Sequence, residues 1–230
     1  KIPELSGWRL KGRRLVLGAN VTFAQFLNDP FLRKHTPVMA HSAVWFADDQ
    51  IREQATLGGN LVNASPAADS TPPMLAMNAV LTLARRAPGQ RIQRQMLLDE
   101  FVTGPATTQL KSGELLTTIE CDSMIGYGTA FEKVGHRRSL VLSTVCVAAL
   151  IRPSKDKQRF EDVRLALGAV GPVPMRLQEC EDCLIGQPIR EEVIRRAASL
   201  PVKHVQSRTR QAYRREVVFN FVKRGILNAL

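Results

Sequence analysis

The sequence predicts an α+β fold in two parts. Three observations point there: strands and helices mix over the first half, a β-rich block follows, and helical patterns fill the rest. Strict alternation of strand and helix is lacking, which argues against a doubly wound parallel sheet. Hydrophobic residues are 44% and charged residues 23% of the 230, so there is apolar material for a core and no signature of disorder. No apolar run approaches the ~18–20 residues needed to span a bilayer.

Arg14–Gly18 has the pattern of a short strand ending on glycine. Thr22 is placed to cap a helix holding Phe23, Phe26 and Leu27, limited by Pro30. The apolar positions from Val38 to Ile51 fit one helix. Residues 55–60, with adjacent Gly58 and Gly59, form a break, and 64–69 a second small-residue turn. Pro72 and Pro73 open a helix over Met74 to Asn78, because proline is tolerated in a first turn. Residues 80–84 read as a strand and 91–98 as a further short piece.

Residues 115–120, 128–133, 143–151 and 160–169 are strand-like, the last two joined by a polar hairpin loop over 153–159. A helix runs from Glu191 until Pro201. The final helix, 211–230, sets Tyr213, Val217 and Phe221 at i, i+4 spacing beside Val218 and Val222, with Tyr213 expected in the core. The domain division is expected at 1–122 and 123–230, the second with a three-stranded antiparallel sheet plus helices.

The formal net charge is +11, and between Arg190 and Arg224 ten Lys/Arg face three Glu. Nucleic-acid binding would call for aromatic residues among the basic ones, and only Tyr213 stands there before Phe219. The favoured reading is a charged outer face of a helix or a subunit contact, with no nucleic acid. The four cysteines are too few for a disulfide framework, so reduced thiols and a cytoplasmic location are expected. Cys180 and Cys183 form a lone C-x-x-C, and His35, His41, His136 and His204 show no ligand spacing, so no metal site is expected.

The informative stretch is Thr56-Leu57-Gly58-Gly59-Asn60. Adjacent glycines permit positive φ and close backbone approach, and exposed N–H groups in such a turn make an anion nest suited to phosphate. Asp69, nine residues on, is a candidate for sugar hydroxyls. An ordinary turn accounts for the same residues.

Around it stand Trp45-Phe46-Ala47, Gln50-Ile51-Arg52, 55–61 and 64–69, then Phe101-Val-Thr-Gly-Pro105 and Gly113-Glu-Leu-Leu116. Phe131-Glu-Lys133, the run from Arg164 to Arg176 and Tyr213-Arg214-Arg215 follow. Their order and spacing resemble the FAD-binding subunit of the xanthine dehydrogenase and carbon monoxide dehydrogenase family of molybdenum hydroxylases, from Ile2-Pro-Glu-Leu5 to the last helix. The resemblance implies a vanillyl-alcohol-oxidase-type FAD-binding subdomain followed by a C-terminal domain of antiparallel sheet and helices. It implies an oxidoreductase subunit with FAD as cofactor, working with an iron–sulfur subunit that carries two [2Fe-2S] clusters and a molybdopterin subunit. Electrons would pass through the flavin to NAD or another acceptor.

By the same resemblance Thr56, Leu57, Gly58, Gly59 and Asn60 match the segment at the FAD pyrophosphate and ribityl chain. Asp69 matches an acidic residue that contacts the cofactor, Phe46 an aromatic position on the flavin side, and Leu116 an apolar residue against the ring system. Lys133 matches a basic residue near the flavin, with a one-residue shift at Glu132 left open. Without the resemblance, Phe46 and Leu116 read as core, Asp69 as a cap of the Pro72 helix, Lys133 as a surface lysine, and Arg137-Arg138 as a solvated pair. The family's first turn, Gly-Gly-Gly-Thr-Asp-Leu, would precede Lys1, so an N-terminally truncated flavin domain is expected. The runner-up is a flavin-free relative serving as an assembly or interaction subunit.

Overall fold

A computed structural model describes residues 2, 5–137, 141–207 and 209–230. Lys1, Pro3, Glu4, Arg138 and Arg208, which entered the readings above, lie outside the described residues.

The first half wraps short helices around a five-stranded antiparallel sheet. Its strands are β1 (Trp8–Lys11), β2 (Arg14–Gly18), β3 (Val80–Ala87), β4 (Gln90–Leu97) and β7 (Leu115–Asp122), in the order β1-β2-β7-β3-β4. Leu17 and Leu81 both pair with Ile119, and these three side chains are fully buried. The minor strands β5 (Val102–Gly104) and β6 (Thr107–Thr108) form a separate ribbon.

Between β2 and β3 run α1 (Phe23–Asn28), α2 (Pro30–His35), α3 (Pro37–Trp45), α4 (Asp49–Gln54), α5 (Leu57–Asn63) and α6 (Thr71–Ala76), and the one-turn helix α7 (Leu98–Phe101) follows β4. Thr22 and Gln25 make a capping box at α1. Asp29 caps α2, and Pro30 takes the first helical position there, so it opens a helix as well as closing one. The single helix expected over 38–51 is two: α3 stops at Trp45, and Ala47 adopts φ 45° before Asp48 caps α4. The apolar periodicity of 38–51 could not show this break, because it depends on a non-glycine residue in the left-handed region.

The second sheet comprises β8 (Gly128–Val134), β9 (Val145–Pro153), β10 (Phe160–Gly168) and β11 (Met175–Arg176), in the order β11-β10-β9-β8. It therefore has four antiparallel strands rather than three, the fourth a two-residue edge. Strand β9 explains the long apolar run in the sequence. Cys146, Ala148 and Leu150 join the first core, while Val145, Val147, Ala149 and Ile151 join the second. A strand buried on both faces loses its polar alternation. The second core is closed by α8 (Gln178–Leu184), α9 (Glu191–Ser199), a 3-10 turn (Leu200–His204) and α10 (Gln211–Asn228). On α10 the buried residues are Val218, Phe221, Val222, Gly225 and Ile226. Tyr213 is exposed, against expectation, because it lies one turn before the helix meets the sheet core.

Asp122 joins the two sheets: its carboxylate receives Arg14 Nη1 at 2.8 Å from the first and Arg164 Nη1 at 2.7 Å from the second. Several basic side chains of the C-terminal stretch are paired. Lys203 meets Glu179, Lys223 meets Glu191, and Arg224 meets Glu132. Arg214 donates to the carbonyls of Thr144 and Ala169.

Candidate functional site

A cleft of about 400 Å³ opens beside the end of α3. Phe46, Ala47, Ile51, Asn60 and Asp69 line it, with Val141 and Leu142 from the segment before β9. Three of the predicted site residues, Phe46, Asn60 and Asp69, therefore share one surface.

Phe46 owes its place to the break after α3. Its ring stacks on buried Phe23 at 3.8 Å between centroids and 8° between planes. Its backbone is held by Arg52, whose Nε donates to the Phe46 carbonyl at 2.6 Å. The same guanidinium donates to the carbonyls of Val44 and Ala47, which closes the C-terminus of α3. Arg52 has no role of its own in the sequence beyond its place in a matched stretch, and the backbone corner supplies one.

The Thr56–Asn60 turn is the first turn of α5. Thr56 caps the helix, its hydroxyl accepting from Gly59 N at 3.0 Å. Gly58 and Gly59 are not among the positive-φ glycines. Leu57 N donates to Val21 O and Gly58 N to Ala19 O, each at 2.8 Å. The expected open nest of N–H groups is thus a helix start whose amides at 57, 58 and 59 all have partners within the chain. Gly58 serves close approach instead: a Cβ there would stand 2.8 Å from the Ala19 carbonyl oxygen. Asn60 is what this turn presents to the cleft. Its side-chain oxygen accepts from Ser70 Oγ at 2.5 Å, and its NH2 has no partner among the described residues.

Asp69 is buried, and its carboxylate does not cap α6. Oδ2 accepts from Lys133 Nζ at 2.5 Å and Oδ1 from Ser143 Oγ at 2.6 Å. Burial raises its pKa, partly offset by Lys133 and Ser143. Lys133 is no surface lysine: its side chain is 2% exposed and also donates to Trp45 O at 3.1 Å. Residue 132 points the other way. Glu132 is held by Arg224 and Asn228 of α10, so at the sheet only Lys133 is on the side of Asp69.

Leu116 lies in the first core, 6% exposed and paired with Leu83. Its neighbour Leu115 is the exposed one and lines a larger cleft of about 770 Å³ with Arg85, Arg86 and Arg91. That cleft shares no residue with the smaller one, and Phe46, Asn60 and Asp69 line the smaller. Glu114, beside Leu115, is fixed by Arg94 through two hydrogen bonds of 2.8 Å, which hold its carboxyl well down, at about 2.

The buried thiol of Cys180 is pushed up to about 12 by burial and then by Glu179. No cluster of His, Cys, Asp and Glu suited to a metal occurs among the described residues, and none of their helices is long and apolar enough to cross a membrane.

Residues 1–121 match the family described as the FAD binding domain in molybdopterin dehydrogenase, and residues 130–229 the CO dehydrogenase flavoprotein C-terminal domain. The chain is 31% identical over 223 residues to the glyceraldehyde dehydrogenase medium chain of Sulfolobus acidocaldarius, covering 95% of this chain and 76% of that one. It is 28% identical to the nicotinate dehydrogenase FAD-subunit of Eubacterium barkeri, covering all of this chain and 79% of that one. Among solved structures, carbon monoxide dehydrogenase from Hydrogenophaga pseudoflava superposes with a TM-score of 0.89 at 28% identity, over 99% of this chain and 78% of that one. The α+β architecture, the antiparallel sheets and the family resemblance agree with these matches. The chain belongs to the molybdenum hydroxylase family, as an FAD-binding flavoprotein subunit of its oxidoreductases.

Proposed function

We propose that this subunit holds FAD along the cleft of Phe46, Asn60 and Asp69 and relays electrons. They would come from [2Fe-2S] clusters on an iron–sulfur subunit, supplied by a molybdopterin subunit, and leave to NAD or another acceptor. The observation that carries the site is the meeting of an aromatic ring, a half-free amide and a buried carboxylate in one cleft.

The donor set suits the flavin and ribityl part of FAD. Phe46 offers a flat apolar face backed by Phe23. The Asn60 NH2 can donate to a carbonyl or hydroxyl. Asp69 keeps lone pairs beyond those used by Lys133 and Ser143. Thr56, Leu57, Gly58 and Gly59 act by fixing where Asn60 stands, and Leu116 by supporting the strand that carries Leu115. When bound, FAD supplies the redox chemistry, and the protein supplies binding and electrostatics. Lys133 and Ser143 come from beyond residue 122, so residues 1–122 would form the flavin domain and 123–230 a domain that completes its site. A cytoplasmic enzyme is part of the same reading, supported by the four free cysteines.

The test is anaerobic addition of NADH to the protein purified with its accompanying subunits. Loss of flavin absorbance supports NAD as acceptor. Unchanged absorbance, with bleaching by the reducing substrate alone, would assign a different acceptor.

A further inference from the structure

We propose that Asp69, Lys133 and Ser143 form a charge-balancing unit beside the flavin, with Ser143 as a positioning residue, and that this unit holds the flavin's reduction potential down. The proposal rests on the FAD site described above and goes beyond it.

The geometry is that of a closed pair. The side chains of Lys133 and Asp69 are 2% and 6% exposed, so their charges interact through protein rather than water. Each partner is fixed a second time. Ser143 Oγ holds Asp69 Oδ1 at 2.6 Å, and Lys133 Nζ reaches Trp45 O, the residue before Phe46. The Asp69 backbone is pinned as well, its carbonyl accepting from Ser42 Oγ at 2.8 Å.

The consequence is electrostatic. A lone ammonium beside a flavin favours its electron-rich reduced form and raises its potential. Here the carboxylate cancels that charge, so the cleft meets a nearly neutral dipole. Ser143 favours the ionised carboxylate by donating to it. Without that hydroxyl, Asp69 would protonate more readily and cancel less.

A mediated redox titration of flavin absorbance in the holoenzyme tests this. Asp69→Asn is expected to raise the midpoint potential, and Asp69→Asn/Lys133→Gln to bring it back to the wild-type value. No rise, or a rise that the double variant leaves in place, would overturn the proposal. Ser143→Ala keeps both charged groups and serves where Asp69→Asn fails to fold. A smaller rise, reversed in Ser143→Thr, supports the proposal, and an unmoved potential sinks it. FAD content is measured in every sample. Wild-type protein without FAD would instead overturn the site on which the proposal rests.

Discussion

Arg52 Nε stands 2.6 Å from the carbonyl oxygen of Phe46, and the same guanidinium donates to Val44 O and Ala47 O. One side chain therefore fixes both the end of α3 and the corner that presents the Phe46 ring. Arg52→Ala leaves three carbonyls without this donor, and a stability loss of about 1–3 kcal/mol is expected. FAD affinity should fall with it. Arg52→Lys should not restore affinity, because an ammonium lacks the planar fork that serves three acceptors at once. Paired urea melts and FAD titrations of the two variants check this.

Gly58 and Gly59 should differ, although they are adjacent. A Cβ on Gly58 meets Ala19 Cβ at 2.7 Å and Ala19 O at 2.8 Å, on the residue that follows β2 and is tied to Thr117 O. Gly58→Ala should cost about 1–3 kcal/mol by overpacking. Gly59 is exposed, and its Cβ would meet only Thr56 Oγ1 at 2.9 Å. Gly59→Ala should stay within about 1 kcal/mol of wild type, since alanine favours the helix. Thermal denaturation of the two variants separates them.

The Asp69–Lys133 pair predicts a non-additive result. Lys133→Met leaves a buried carboxylate without its cation and should destabilise by about 3–5 kcal/mol. Adding Asp69→Asn should recover most of that loss. A double-mutant cycle in urea measures it, and additive losses would mean that the pair contributes nothing as a pair.

Glu114 and Arg94 give the expected acid sensitivity. The Glu114 carboxyl is lowered from its ordinary 4.5 to about 2, chiefly by the Arg94 hydrogen bonds. A folded-state pKa below the unfolded one means stability that is fully present above pH 4.5 and lost as pH falls toward 2. Arg94 is about a third exposed, so screening limits the effect to about 1–2 kcal/mol. Glu114→Gln should lower stability at pH 7 and flatten its decline between pH 4.5 and 2, as acid titration of the melting temperature would show.

Much of the fold is legible where local rules decide it. The Thr22 cap, the opening of α6 by Pro72 and Pro73 and the 153–159 hairpin all follow from side chains acting on their own backbone. Ala47 breaks a helix that its periodicity supports, and the left-handed corner that does so is stabilised from outside by Arg52. The glycine pair reads equally as a phosphate nest or a packed helix start, because contacts with Ala19 and Val21, far in sequence, distinguish them. Lys133 and Asp69 are 64 residues apart, so their pairing has no local signal. Ser143 carries no motif of its own, and Arg52, although it stands in a matched stretch, takes its part in the site only from the folded corner at Phe46.

The central claim is that the Phe46–Asn60–Asp69 cleft holds FAD. Equilibrium titration of the FAD-depleted protein, with its accompanying subunits, tests it most directly. The account predicts saturation at about one FAD per chain, with affinity at least about tenfold weaker in Phe46→Ala and in Asn60→Leu, since each loses an interaction of about 1.4 kcal/mol or more. Wild-type affinity in both folded variants would contradict it and move the cofactor elsewhere on the molecule.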